Sequence, residues 1–151
     1  MIGRIDLLLL WLYRICAGMA IFTGFGNMPL YGRYYVGDVP GLGWSSNFMV
    51  NVQVHYVAGA VLVALGIYAA IVYARLRAEG LRLTKSGLLR VIFLFLALAS
   101  GGVMAVKNLP FVAVDFPLMP ILNFFHLFGA MIFMFFSLGC LISRAGWTKV
   151  R

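Results

Sequence analysis

Two histidines are the residues of this sequence whose type and spacing suggest chemistry. His55 and His126 each lie a few residues inside a long apolar segment, where an ionisable side chain is costly and usually has a partner. Two imidazoles at one depth on parallel helices can ligate a haem iron from both faces. A b-type haem needs no CxxCH attachment motif, and the sequence contains none. The pattern therefore predicts one haem b, with His55 and His126 as its metal ligands.

Small residues lie on the helix face below each histidine. Gly59 is four residues after His55, and Gly129 is three residues after His126. Small side chains beneath an iron ligand leave room for a flat macrocycle, so we expect both glycines to contact the haem. The Ser-Gly-Gly sequence at 100–102 offers the porphyrin further space. The same pattern is common in plain helix packing, and a membrane histidine can simply hydrogen-bond a neighbouring helix.

Three basic residues bear on this site or on the membrane boundary. Haem propionates need cations or donors at the interface, and Lys107 and Arg33 are predicted to supply them. Interfacial snorkelling is the competing interpretation of both side chains. Arg14 lies about seven residues inside the first apolar segment, on the order of 10 Å from its inner boundary. It either snorkels towards that boundary or donates to a quinone carbonyl or a lipid headgroup.

The composition predicts the helices that must position these residues. The chain has 151 residues, of which 64% are hydrophobic, with a mean hydropathy of +1.01 and only 12 basic and 4 acidic side chains. A soluble domain cannot be so apolar, because polar groups must cover its surface. The pattern predicts an all-α membrane protein, a bundle of four transmembrane helices forming one domain over residues 1–151. The predicted spans cover residues 7–26, 50–74, 91–106 and 121–143.

Lys and Arg are distributed unevenly between the two ends of these spans. One side holds Arg4, Arg75, Arg77, Arg82, Lys85, Arg90, Arg144, Lys149 and Arg151, whereas the other holds Arg33 and Lys107. The positive-inside rule predicts that both termini are cytoplasmic and that the 27–49 and 107–120 connections face outward. Both histidines then lie at matching depth, about 7–9 Å below the outer boundary. Because Arg14 interrupts the N-terminal apolar run and no cleavage site follows, that run is interpreted as a retained helix.

The charge distribution argues against nucleic-acid binding, and the cysteine spacing argues against a CxxC site. The net charge of +8 does not indicate nucleic-acid binding, because the basic residues lie at segment ends, where they face anionic membrane lipids. Cys16 and Cys140 lie in apolar runs without CxxC spacing, so they are predicted to be small core residues.

Four spans, with one histidine early in the second (VQVHYVAGAVLVALGIY) and another early in the fourth (NFFHLFGAMIF), resemble a known family. The chain resembles the cytochrome b subunit of respiratory formate dehydrogenases and related cytochrome b561-type anchors of hydrogenases and thiosulfate reductases. The resemblance implies a subunit of a larger membrane redox complex. Such a subunit passes electrons between a quinone pool and an extracytoplasmic partner that carries iron–sulfur clusters or multiple haems.

The sequence departs from that family at the inner side of the membrane. Family members usually hold a second haem there, with a histidine on the first span and another about four turns past the outer ligand on the fourth. The first span here has no histidine, and the corresponding position on the fourth is about Cys140, so a second bis-histidine haem is excluded. The distance along the helix from His126 to Cys140 is roughly 20 Å, which is long for a single electron transfer from a haem at the level of His126. Any quinone is therefore predicted to bind in the outer half or middle of the membrane, near the haem edge.

The sequence thus predicts a single-haem electron-transfer subunit in the inner (cytoplasmic) membrane, with its partner docked on the 27–49 connection. Apart from quinone binding it has no substrate chemistry of its own, because no nucleophile, carboxylate pair or phosphate loop is visible. A haem-free anchor or assembly subunit, whose histidines only bridge helices, is the alternative. A small transporter is a third alternative, although transporters normally place polar groups at mid-membrane and this chain has almost none there.

Overall fold

Four long helices dominate the computed structural model, which describes residues 2–28, 36–108, 111 and 118–150. The helices are α1 (Ile2–Gly26), α2 (Phe48–Leu76), α3 (Lys85–Val106) and α4 (Leu118–Ile142), and the strands are β1 (Leu81–Leu83) and β2 (Thr148–Val150). A short 3-10 helix, Gly43–Ser46, precedes α2. Within the described residues, α2, α3, α4 and the Leu7–Gly26 part of α1 are long and apolar enough to cross a membrane. The predicted class, an all-α membrane protein with four transmembrane helices, is confirmed; the cytoplasmic location of both termini stays a prediction.

Large apolar side chains are exposed along all four helices. Leu8 is 68% exposed, Val57 65%, Phe95 71% and Leu141 65%. So many exposed large apolar side chains are unfavourable in water, whereas lipid chains solvate them. The exposure of these side chains therefore agrees with a multi-pass membrane protein.

Capping residues determine where α2 and α3 begin. Before α2, Asn47 Oδ1 accepts hydrogen bonds from the backbone N–H groups of Met49 (3.1 Å) and Val50 (3.2 Å). Before α3, Thr84 Oγ1 accepts one from the backbone N–H of Gly87 at 2.9 Å. Since Thr84 caps the helix, α3 begins at Lys85, six residues before the predicted third span.

The chain divides into two compact units, which are Met1–Ile67 and Tyr68–Arg151. The boundary between them falls within α2. In the first unit the Trp44 ring lies 5.8 Å from the Phe22 ring, which attaches the 3-10 helix to α1. In the second unit α3 and α4 approach closely, since a Cβ built on Gly129 would lie 3.2 Å from the backbone nitrogen of Ala97. A small residue at this position lets the two backbones pack together.

A two-stranded sheet joins two segments that are distant in sequence. β1 and β2 pair antiparallel, with Arg82 opposite Lys149. Thr84 extends the pairing, because its backbone N–H donates to the carbonyl of Trp147 (3.1 Å) and its hydroxyl to that of Gly146 (2.8 Å). Both segments lie outside the four spans that are predicted from the sequence. The sheet connects the start of α3 to the chain that follows α4.

Arg90 is a buried cation beside this sheet and is only 4% exposed. Its Nε donates to the carbonyl of Ser86 at 3.2 Å, and its Nη2 donates to the carbonyls of Ala145 (3.0 Å) and Gly146 (2.9 Å). The guanidinium carbon also lies 4.2 Å from the centroid of the Trp147 ring, a cation–π contact. Backbone carbonyls and an aromatic face therefore stabilise this buried charge and hold the chain after α4 against α3.

Replacing Arg90 by methionine should lower the free energy of unfolding by about 2–4 kcal/mol, because two carbonyls after α4 lose a charged donor. Thermal unfolding of the full-length protein in detergent measures the change. Arg75→Met, at an exposed position near the end of α2, is the control and should unfold close to wild type. An Arg90→Met protein as stable as the Arg75→Met protein would contradict this assignment.

Candidate functional site

His55 lies in the first unit, on the eighth residue of α2, and is half-buried. Its Nδ1 is 3.0 Å from the hydroxyl oxygen of Thr23, a fully buried residue of α1. That hydroxyl also lies 2.6 Å from the carbonyl of Met19, to which it donates its only hydrogen. With the hydroxyl hydrogen assigned to the closer Met19 carbonyl, Thr23 accepts the hydrogen bond from His55, and the proton of the neutral ring is assigned to Nδ1.

Polar side chains also connect the end of α1 with the turn of α2 that precedes His55. Asn51, one turn before His55, is fully buried. Its Nδ2 donates to the carbonyl of Thr23 at 3.0 Å and to Oδ1 of Asn27 at 2.7 Å. Oδ1 of Asn51 accepts no hydrogen bond from the described residues. Because the amide binds the backbone of Thr23, it also fixes the residue that orients His55.

His126 lies in the second unit, on the ninth residue of α4, and is also half-buried. Its Nδ1 is 2.8 Å from the carbonyl oxygen of Ala97 on α3. A carbonyl can only accept a hydrogen bond, so Nδ1 of His126 must donate and must carry the proton. Ser100 also contributes here, since its hydroxyl lies 3.2 Å from the same carbonyl.

A glycine on the neighbouring helix faces each imidazole. A Cβ built on Gly24 of α1 would lie 3.4 Å from Cε1 of His55. A Cβ built on Gly101 of α3 would lie 2.8 Å from Cε1 of His126, closer than real Cβ contacts allow. The absence of a side chain at Gly101 therefore lets the imidazole lie against α3 and reach the carbonyl one turn earlier.

The two histidines share one chemical arrangement, although each belongs to a different unit. In both, Nδ1–H donates to an oxygen of a neighbouring helix, so in the neutral imidazole the lone pair is on Nε2. Metal-ligating histidines typically have this arrangement, in which a hydrogen bond from one nitrogen orients the ring and makes the other a better ligand. Each unit therefore presents one imidazole whose tautomer suits a metal. Within the described residues, no group of three or more His, Cys, Asp or Glu residues forms a metal cluster.

The other residues predicted to contact the haem are Gly59, Gly129, Lys107 and Arg33. Among the described residues, no atom beyond the local backbone of α2 lies within 4 Å of a Cβ built on Gly59, whereas Gly129 packs against Leu96 and Ala97 of α3. Lys107 follows α3 as its C-cap and is half-buried. Arg33 lies outside the described residues. The roles of these four residues at a haem therefore stay predictions.

Arg14 and Cys16 lie on α1, about two to three turns before Thr23. Arg14 is exposed, and its guanidinium carbon lies 5.3 Å from the ring centroid of Trp11, a cation–π contact. An open apolar groove of about 300 Å³ between α1 and α2 is lined by Cys16, Met19, Gln53, Val54, Val57, Ala58 and Val61. Cys140 is buried on α4, and both cysteines are free thiols.

Thr23 and Asn51 are not among the site residues that the sequence predicts. Both are polar side chains inside predicted spans or at their ends, and both are fully buried. A hydroxyl and an amide in apolar surroundings need hydrogen-bond partners, which is the signal that could have directed attention to them. The acceptor for His126 is a backbone carbonyl, for which the sequence offers no comparable signal.

No family model, curated protein or solved structure matches this chain.

Two adjacent glycines of α3 provide a sharp test of the packing around His126. Gly101→Ala should lower the free energy of unfolding by about 1–3 kcal/mol, because the new methyl group overlaps the imidazole. Gly102→Ala is the matched control, because no described residue beyond the local helix backbone lies within 4 Å of its built Cβ, and alanine favours the helix. Thermal unfolding in detergent should rank Gly102→Ala at or above wild type and Gly101→Ala below it; the reverse order would contradict the described contact.

Proposed function

We propose that this chain is a membrane-embedded b-type cytochrome subunit that passes electrons between a quinone pool and an extracytoplasmic redox partner. The common geometry of the two imidazoles is the observation that carries the proposal. Each donates Nδ1–H to a neighbouring helix, so that Nε2 is the nitrogen with the lone pair that can ligate iron. In this proposal His55 and His126 would be the residues that ligate the iron of a single haem b.

The haem supplies a one-electron redox centre when it is bound. The residues of the chain hold and tune it. The hydroxyl of Thr23 and the carbonyl of Ala97 orient the two imidazoles through their Nδ1–H groups. Lys107 and Arg33 are the proposed partners of the propionates, and the open face at Gly59 is a proposed contact surface for the macrocycle.

The remaining parts of the proposal follow from the topology and from the family resemblance. Four apolar helices support a multi-pass membrane protein. We propose the inner (cytoplasmic) membrane, with the side rich in Lys and Arg facing the cytoplasm. The partner is an iron–sulfur or multihaem subunit of a larger respiratory complex, docked on the 27–49 connection. A quinone would bind in the outer half or middle of the membrane, on the same side as the two histidines.

A haem-free anchor or assembly subunit is the second candidate, and a specific observation favours it. Each imidazole is already hydrogen-bonded to a neighbouring helix, Thr23 for His55 and Ala97 for His126. Such bonds stabilise helix pairs in a membrane without any cofactor. The two candidates differ in what Nε2 does, and an absorption spectrum separates them.

The purified protein should show a reducible b-type haem spectrum, and this spectrum should be lost in both His55→Ala and His126→Ala, because each variant removes one of the two proposed iron ligands. Asn123→Ala, at an exposed position one turn before His126, is the control and should keep the spectrum. A colourless but correctly folded wild-type protein would contradict the cytochrome proposal and favour the anchor.

Thr23→Val should weaken haem binding by about 10–100-fold, since the isosteric side chain cannot accept the Nδ1–H of His55. Thr23→Ser retains a hydroxyl and is the control, with affinity close to wild type. Titration of the haem-free protein with haem in detergent measures both values. Equal affinity of the valine and serine variants would show that the hydroxyl does not orient a ligand.

A further inference from the structure

The two-stranded sheet of the second unit places two cations side by side. In an antiparallel pair, directly opposed residues point to the same face with Cβ atoms about 5 Å apart. Arg82 of β1 and Lys149 of β2 are opposed in this way, and both side chains are exposed. Leu81 and Leu83, the neighbours of Arg82 along β1, point to the other face and are half-buried. The sheet therefore has one apolar face and one cationic face, the latter defined by Arg82 and Lys149.

Like charges directly opposed on a sheet repel each other, so this pairing needs another contribution to hold it. Thr84 continues the contact beyond β1, with hydrogen bonds to the carbonyls of Gly146 and Trp147. Arg90 donates hydrogen bonds to the carbonyls of Ala145 and Gly146. These bonds fix the two strands in register, so that the two cations remain neighbours.

No side chain that the structure describes forms an ion pair with Arg82 or Lys149. Glu79, the described acidic residue nearest to them in sequence, is exposed in the turn before β1 and pairs with neither. Two neighbouring cations that pair with no described carboxylate match the chemistry of a phosphate, which accepts hydrogen bonds from Arg in a bidentate manner and attracts Lys as a point charge.

The cationic face lies next to the lipid-facing surface. Leu88 and Leu89, in the first turn of α3, are 49% and 42% exposed. At the end of α4, Leu141 and Ile142 are 65% and 77% exposed. Exposed apolar side chains thus end within a few residues of the strands, and this change from apolar to charged residues is typical of the level of lipid headgroups.

We propose that the cationic face of the sheet binds the phosphate of an anionic phospholipid headgroup between Arg82 and Lys149. Lys85 and Arg144, exposed at the adjacent helix ends, add positive charge around it. The lipid then neutralises the opposed cations and stabilises the pairing of β1 with β2. The site does not depend on whether the chain binds haem.

The test uses full-length protein reconstituted into phosphatidylcholine vesicles that contain spin-labelled phosphatidylglycerol or spin-labelled phosphatidylcholine. Wild type should bind the anionic lipid preferentially. The double variant Arg82→Gln/Lys149→Gln should lower this preference about fivefold or more. The matched control, Arg75→Gln/Arg77→Gln, removes the same charge from exposed positions at the end of α2 and should stay within about twofold of wild type.

Three further outcomes decide the proposal. A charge-conserving Arg82→Lys/Lys149→Arg protein should retain the preference, which separates loss of charge from loss of folding. Equal losses in the two glutamine double variants would overturn the site, because diffuse surface charge would then account for binding. Loss of the wild-type preference on adding inorganic phosphate at constant ionic strength would overturn the lipid as occupant, and an unchanged preference supports it.

Discussion

The hydrogen bond that each imidazole donates from Nδ1 to its neighbouring helix is the interaction on which the rest of this structure depends. In hydrocarbon no water can replace a lost partner, so a polar ring inside a membrane-spanning helix must find its acceptor within the protein. His55 finds the hydroxyl of Thr23, and His126 finds the carbonyl of Ala97. These two bonds determine the tautomer, the ring orientation and the chemistry available at Nε2.

The architecture of the second unit provides the register that the bond of His126 requires. A shift of α4 along α3 by one helical turn, about 5.4 Å, would remove the imidazole from its carbonyl. The sheet and Arg90 oppose such a shift, because they attach the chain after α4 to the first turns of α3. The glycines at 101 and 129 allow the close approach, one by admitting the ring and the other by admitting the backbone. Polar contacts at one end of the helix pair thus support a polar contact further along it.

The sequence predicted the four membrane helices because hydropathy over some 20 residues is a strong signal in a chain this apolar. It located the ends of the helices less well, since a single capping residue such as Thr84 decides where α3 begins. The pairing of β1 with β2 could not be predicted, because strands of three residues separated by more than 60 residues carry no local signal. For the histidines, the sequence was compatible with haem ligation and with hydrogen bonds between helices. It did not predict which atoms accept those hydrogen bonds. Gly101 was expected to give space to a porphyrin, and in the structure it gives space to the imidazole of His126.

The most direct test of this account is the ¹⁵N spectrum of the two imidazoles in full-length, histidine-labelled protein in its haem-free form. His55 and His126 are the only histidines, so two side chains give the whole spectrum. The account predicts that in both neutral rings Nδ1 has the shift of a protonated nitrogen and Nε2 that of an unprotonated one. A spectrum with the proton on Nε2 of either ring would contradict it, because that ring could then neither donate from Nδ1 nor offer Nε2 to iron.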